Sequence, residues 1–89
     1  MTIRRRVVVH GLVQGVFFRD TCRGEALSRE ISGWVRNNDD GTVEAVFEGD
    51  EGAVAGMVDW AHSGPPGAQI GRVQVAEEQP EGLSGFRVV

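Results

Sequence analysis

Val7-Val8-Val9-His10-Gly11-Leu12-Val13-Gln14-Gly15-Val16-Phe17-Phe18-Arg19 is the stretch on which the fold turns. Three β-branched residues in a row predict a strand. Gly11 and Gly15 bracket a turn, because glycine reaches positive φ at no steric cost. From about Asp20 to Glu30 the chain reads as a helix, with Arg19 at its mouth. Strand, glycine-bracketed turn and helix start together gather free backbone N–H groups, the positive end of a helix dipole and a guanidinium. All three favour a tetrahedral oxyanion such as phosphate. Arginine stays charged at any working pH, and its planar fork can bind two phosphate oxygens at once.

Outward from that stretch, strand one spans about Ile3–His10. Helix one spans about Arg19–Glu30, with Cys22, Ala26, Leu27 and Ile31 on one face at helical spacing. Strand two is about Ser32–Asn37, and Asp39-Asp40-Gly41 gives a hairpin signal. In strand three, about Thr42–Glu48, Val43, Ala45 and Phe47 alternate with Thr42, Glu44 and Glu48. Asp50 is placed as N-cap of a second helix, about Glu51–Ser63, with an apolar stripe of Val54, Met57, Val58 and Ala61. Gly64-Pro65-Pro66-Gly67 ends that helix. Strand four is about Gln69–Ala76, and Phe86–Val89 adds a short last strand. The order strand, helix, strand, strand, helix, strand predicts an α+β, ferredoxin-like βαββαβ sandwich: an antiparallel sheet with two helices on one face.

The 89 residues make one domain, 1–89, with a single modest core. Hydrophobic residues are 40% and charged residues 25%, an ordinary soluble composition. The net charge of −4 argues against nucleic acid as a partner. All nine basic residues are Arg, so no lysine exists for a Schiff base or a Walker-type loop. The single cysteine, Cys22, has no disulfide partner and fits a reduced, cytoplasmic setting. The N-terminal apolar run is too short for a signal peptide, no segment is long enough to span a membrane, and no long apolar stripe demands an oligomer, which leaves a monomer as the expectation.

His10 and His62 are isolated and read as surface or strand-end residues, so no metal site is expected. No Ser/His/Asp order suggests a triad. Asp39-Asp40 and Glu77-Glu78 read as turn and surface residues, and Arg4-Arg5-Arg6 as a solvated strand start. Two candidates remain. Spacing alone leaves the Gly11–Arg19 loop equally readable as an anion site or as a tight turn with Phe17 and Phe18 as core anchors. Composition alone makes Asn37 a turn residue, because Asn-Asn-Asp-Asp-Gly is rich in turn formers.

The resemblance to a known family separates these readings. The run Gly11–Arg19, then Asn37 18 positions later within Gly33-Trp34-Val35-Arg36-Asn37, then Asp40-Gly41 and Val43-Glu44, closely resembles the acylphosphatase family. Glu48-Gly49, Gly64-Pro65-Pro66-Gly67-Ala68 and Phe86 extend the likeness over essentially the whole chain. The departures are Leu12, where Arg or Lys is common, and the short ending Arg87-Val88-Val89. The resemblance implies a ferredoxin-like enzyme that hydrolyses acyl phosphates to a carboxylate and phosphate without metal or cofactor. It implies that Arg19 binds the phosphate, that Asn37 positions the attacking water, and that backbone N–H groups of Gln14, Gly15, Val16, Phe17 and Phe18 cradle the phosphate oxygens. The alternative is a phosphate- or carbamoyl-phosphate-binding module with little turnover, since domains of this type resemble parts of larger enzymes.

Overall fold

In the computed structural model, which describes all of residues 1–89, the elements run β1 (Thr2–Leu12), α1 (Phe18–Ser28), β2 (Ser32–Asn37), β3 (Val43–Asp50), α2 (Glu51–Ser63), β4 (Gln69–Glu78) and β5 (Phe86–Val88). The sheet order is β4-β1-β3-β2-β5, with both helices packed on the sheet through one core cluster of 15 buried residues. The first four strands pair antiparallel, as the alternation in β3 and the hairpin signal predict.

The expectation of a wholly antiparallel sheet needs one correction: β5 pairs parallel with β2. The chain leaves β4 at one edge, crosses the sheet and enters beside β2 at the other. Glu48, 3% exposed on β3, holds that crossing by accepting the backbone N–H groups of Glu81 and Leu83, the latter at 2.7 Å. Arg4 is not a solvated strand start either. It is 3% exposed, with Nε donating to Glu78 at 2.8 Å and a second nitrogen 3.5 Å from Glu81. A buried guanidinium persists only when carboxylates face it.

Helix boundaries follow their caps. The Asp50 carboxylate accepts from Gly52 N at 3.3 Å and starts α2, whose buried stripe is Val54, Met57 and Ala61. Gly64, at φ 65°, ends it. The first helix starts at Phe18 and stops at Ser28, earlier than its apolar pattern suggests. Glu30 turns left-handed at φ 56°, and Ile31 N reaches back to Ala26 O at 2.9 Å. Leu27, expected on the core face, is 45% exposed, while Cys22 and Ala26 are fully buried.

One glycine fixes how closely the sheet packs. A Cβ on Gly33, at φ +146°, would lie 1.8 Å from Val46 O. No other residue fits there, and β2 thereby stays close enough to β3 to carry Asn37 at its end. On the sheet face away from the helices, Trp34 lies under two guanidinium groups, Arg6 at 5.3 Å and Arg36 at 5.0 Å, both paired with Glu44.

Candidate active site

The loop between β1 and α1 is anchored at both ends and open in the middle. Val13 is 1% exposed at its start, and Phe18 is 3% exposed at its end, its ring 5.2 Å from Trp60. Between them the backbone turns left-handed twice, at Gly15 (φ 76°) and at Phe17 (φ 59°). Phe17 is therefore no core anchor: its side chain is 78% exposed. A bulky side chain at positive φ is a strained arrangement that the surrounding structure must hold.

Phe17 is also the N-cap of α1, and no side chain caps that end. Serine, threonine or aspartate would ordinarily satisfy one of the orphan amides there. None of the backbone N–H groups from Gln14 to Phe18 donates to a protein carbonyl in any turn or loop hydrogen bond. Five consecutive donors thus stand together at the positive end of a helix. Such a set binds an anion.

Arg19 and Asn37 meet across this loop. An open cleft of about 450 Å³ is lined by the apolar residues Val13, Phe17, Phe18 and Val88, together with Gly15, Arg19, Asp20 and Asn37. The Arg19 guanidinium takes part in no ion pair, whereas Arg4, Arg5, Arg6, Arg29 and Arg36 all do. Asn37 Oδ1 is buried and has no hydrogen-bond partner in the protein. An unpaired buried acceptor costs roughly 1–3 kcal/mol, which a fold retains where the group has work to do. Asn37 is the last residue of β2 rather than a residue of the turn. The turn itself is made by its neighbours: Asn38 N donates to Thr42 O at 2.9 Å, and Asp40 accepts from the Thr42 backbone at 3.0 Å and from its hydroxyl.

One feature of the site has no signal in the sequence. The Gln14 side-chain amide donates to two carbonyl oxygens of the β2–β3 hairpin, Asn38 at 2.8 Å and Thr42 at 2.9 Å. This clasp ties the anion loop to the hairpin that carries Asn37. Of the other loop residues, Val16 packs against the core and Gly15 has open space around it. No group of three or more His, Cys, Asp or Glu side chains is placed to hold a metal ion. His10 Nε2 bonds to Gln74 at 2.7 Å and His62 Nδ1 to the Val58 carbonyl at 2.9 Å, both away from the cleft.

Fold and site together define a small α+β domain with one arginine and a run of unpaired amides at a helix mouth. The acylphosphatase profile matches residues 5–88. An acylphosphatase of Thermococcus kodakarensis is 52% identical over 87 residues, covering 98% of this chain and 96% of the relative. The crystal structure of an acylphosphatase from Bacillus subtilis superposes with a TM-score of 0.94 at 39% identity, covering 100% of this chain and 99% of the other. A structure of full-length HypF in its phosphate- and nucleotide-bound form gives a TM-score of 0.92 at 28% identity, covering all of this chain but 12% of that one. The chain belongs to the acylphosphatase family. Its reaction is the hydrolysis of acyl phosphates.

Proposed function

We propose that the phosphoryl group of the acyl phosphate sits in the Gly11–Arg19 loop, held by the Arg19 guanidinium and the backbone N–H groups of Gln14, Gly15, Val16, Phe17 and Phe18, with water positioned by Asn37. One observation carries the assignment: a loop whose five successive amides make no turn or loop hydrogen bond sends Gly15, Phe17 and Phe18 into a cleft that Arg19, free of any ion pair, and Asn37 also line, with the buried Asn37 oxygen unpaired.

The chemistry suits these residues. An acyl phosphate is a mixed anhydride whose leaving group, a carboxylate, is a weak base and departs without a general acid. Arg and Asn cannot take a proton at neutral pH. Water oxygen bonds to phosphorus, the bond from phosphorus to the acyl oxygen breaks, and its electron pair leaves on the carboxylate. The proton of the attacking water passes to a phosphate oxygen of the substrate itself. The protein supplies position and charge stabilisation, the usual demand of phosphoryl transfer. In this reading no metal or cofactor takes part, because the guanidinium and the amides supply the positive charge.

The same reading makes the protein a cytoplasmic monomer. A buried free thiol at Cys22 suits a reducing compartment, and no helix is long and apolar enough to cross a membrane. Nucleic acid is not a partner in this reading: the sheet's Trp34 is covered by arginines already paired with Glu44.

The test is hydrolysis of benzoyl phosphate in buffer containing chelator, with inorganic phosphate as competitor. Wild type turns over. Arg19→Ala loses both turnover and phosphate inhibition, and Arg19→Lys fails substantially because a point charge cannot replace the fork. Unchanged phosphate inhibition in Arg19→Ala contradicts the assignment. Phosphate binding by a folded wild type without turnover favours the binding-module reading.

A further inference from the structure

We propose that the apolar wall of the cleft, Phe17 and Val88, forms a subsite that selects acyl phosphates with an uncharged, hydrocarbon or aromatic acyl group over those whose acyl group carries a second anion. This rests on the placement of the phosphoryl group just described. With phosphorus held by the amides and Arg19, the acyl group extends along the remaining walls of the cleft. Four of the eight lining residues, Val13, Phe17, Phe18 and Val88, are apolar. Phe17 is 78% exposed, and Val88 of β5 is 38% exposed. Leu12, beside the buried Val13, and Val89, beside Val88, are 62% and 56% exposed. Two of the seven exposed large hydrophobic residues of the chain, Phe17 and Val88, therefore line the cleft, and two more adjoin lining residues in sequence. Exposed apolar surface gathered at a binding cleft marks a contact for apolar ligand.

Charge points the same way. Arg19 is the only cation lining the cleft, and the phosphoryl group claims it. The other charged lining residue is Asp20, which repels a second anion. The next arginine along α1, Arg23, donates to the Phe86 carbonyl at 3.1 Å, and Arg36 is paired with Glu44 on the far face of the sheet. Within the cleft lining itself, a carboxylate or second phosphate on the acyl group meets no cation besides Arg19. Phe17 has a left-handed backbone within the loop and an exposed ring at the cleft, so in this proposal one residue serves both the acyl group and the anion loop.

The experiment compares kcat/KM for benzoyl, acetyl and succinyl phosphate, using wild type, Phe17→Ala, Val88→Ala and Asp20→Asn. Wild type should favour benzoyl over succinyl phosphate by about tenfold or more. Phe17→Ala and Val88→Ala should each lower the benzoyl-to-acetyl ratio, about fivefold to tenfold for Phe17. Asp20→Asn should raise the succinyl-to-benzoyl ratio severalfold. Equal use of benzoyl and succinyl phosphate by wild type overturns the proposal. So does an equal loss on all three substrates in Phe17→Ala with unmoved ratios in Val88→Ala and Asp20→Asn. Absence of turnover on every substrate by folded wild type overturns the underlying site assignment instead.

Discussion

The Gln14 side chain lies across the gap between loop and hairpin and donates to the Asn38 carbonyl at 2.8 Å. With the second bond, to Thr42, it fixes the distance between the anion loop and the strand end that carries Asn37. The loop and the Asn37 strand end, which the proposed mechanism sets on one phosphorus atom, are thereby tied by a residue that does not line the cleft. Gln14 is a positioning residue through its side chain.

Gln14→Ala leaves the loop amides in place and removes the clasp. Two hydrogen bonds lost at a partly exposed site cost about 1–2 kcal/mol. The melting temperature should fall by about 5–10 °C, since a domain of this size loses about 4–8 °C per kcal/mol. Turnover of benzoyl phosphate should fall further than phosphate affinity, by roughly tenfold to a hundredfold, because misplacement penalises the reaction more than ground-state binding. Parallel losses in turnover and phosphate affinity would contradict a positioning role.

Acid should unfold the protein through its sheet-face carboxylates. Hydrogen bonds from Arg6 and Arg4 hold the Glu78 carboxyl below its ordinary 4.5. Burial opposes ionisation of Glu44, but bonds from Arg36, Arg6 and Asn38 outweigh it and also hold that carboxyl below 4.5. Each group binds fewer protons folded than unfolded. Their stabilisation is therefore complete above the unfolded value and is lost as pH falls through the lower, folded one. Melting temperature should hold from neutral pH to about 5.5 and drop below about 4.5. Glu78→Gln should flatten that acid limb; a variant with the wild-type limb contradicts the account.

Cys22 should be inert. It is fully buried on α1, and burial, with the nearby Glu25 charge, pushes its thiol well above the ordinary value. A thiol reagent should fail to label native protein and label it promptly in denaturant. Cys22→Ala should keep normal turnover. Cys22→Ser should lose about 1–3 kcal/mol of stability through its buried hydroxyl. Rapid labelling of native protein would show that α1 opens.

Local patterns made much of this fold readable. The buried Val43, Ala45 and Phe47, the stripe of Val54, Met57 and Ala61 with Val58 partly buried beside it, and the Asp50 cap depend on neighbours in sequence and appear where the pattern puts them, whereas Thr42 and Glu48, expected on the polar side of β3, are buried. What depends on distant partners was not readable. Arg4 is buried because Glu78 lies 74 residues away. The β5 strand is parallel because of where the crossing segment lands. Leu27 looks outward because it stands about 100° further round α1 than Ala26, off the buried row of Phe18, Cys22 and Ala26. At the site, Arg19 and Asn37 were legible through a motif, and the structure brings both to one cleft. The Gln14 clasp was not, since its acceptors are carbonyls 24 and 28 residues away that any residue type would offer.

The most direct test is Asn37→Ala, assayed for benzoyl phosphate hydrolysis in chelator and, separately, for inorganic phosphate binding by calorimetry. Losing the contact to the attacking water should slow turnover by roughly 10²–10³, about 3–4 kcal/mol in the barrier. Phosphate binding should stay near the wild-type value, because the amides and Arg19 are untouched. Turnover within a few-fold of wild type, or loss of phosphate binding along with turnover in a folded variant, would contradict the assignment of Asn37 to water.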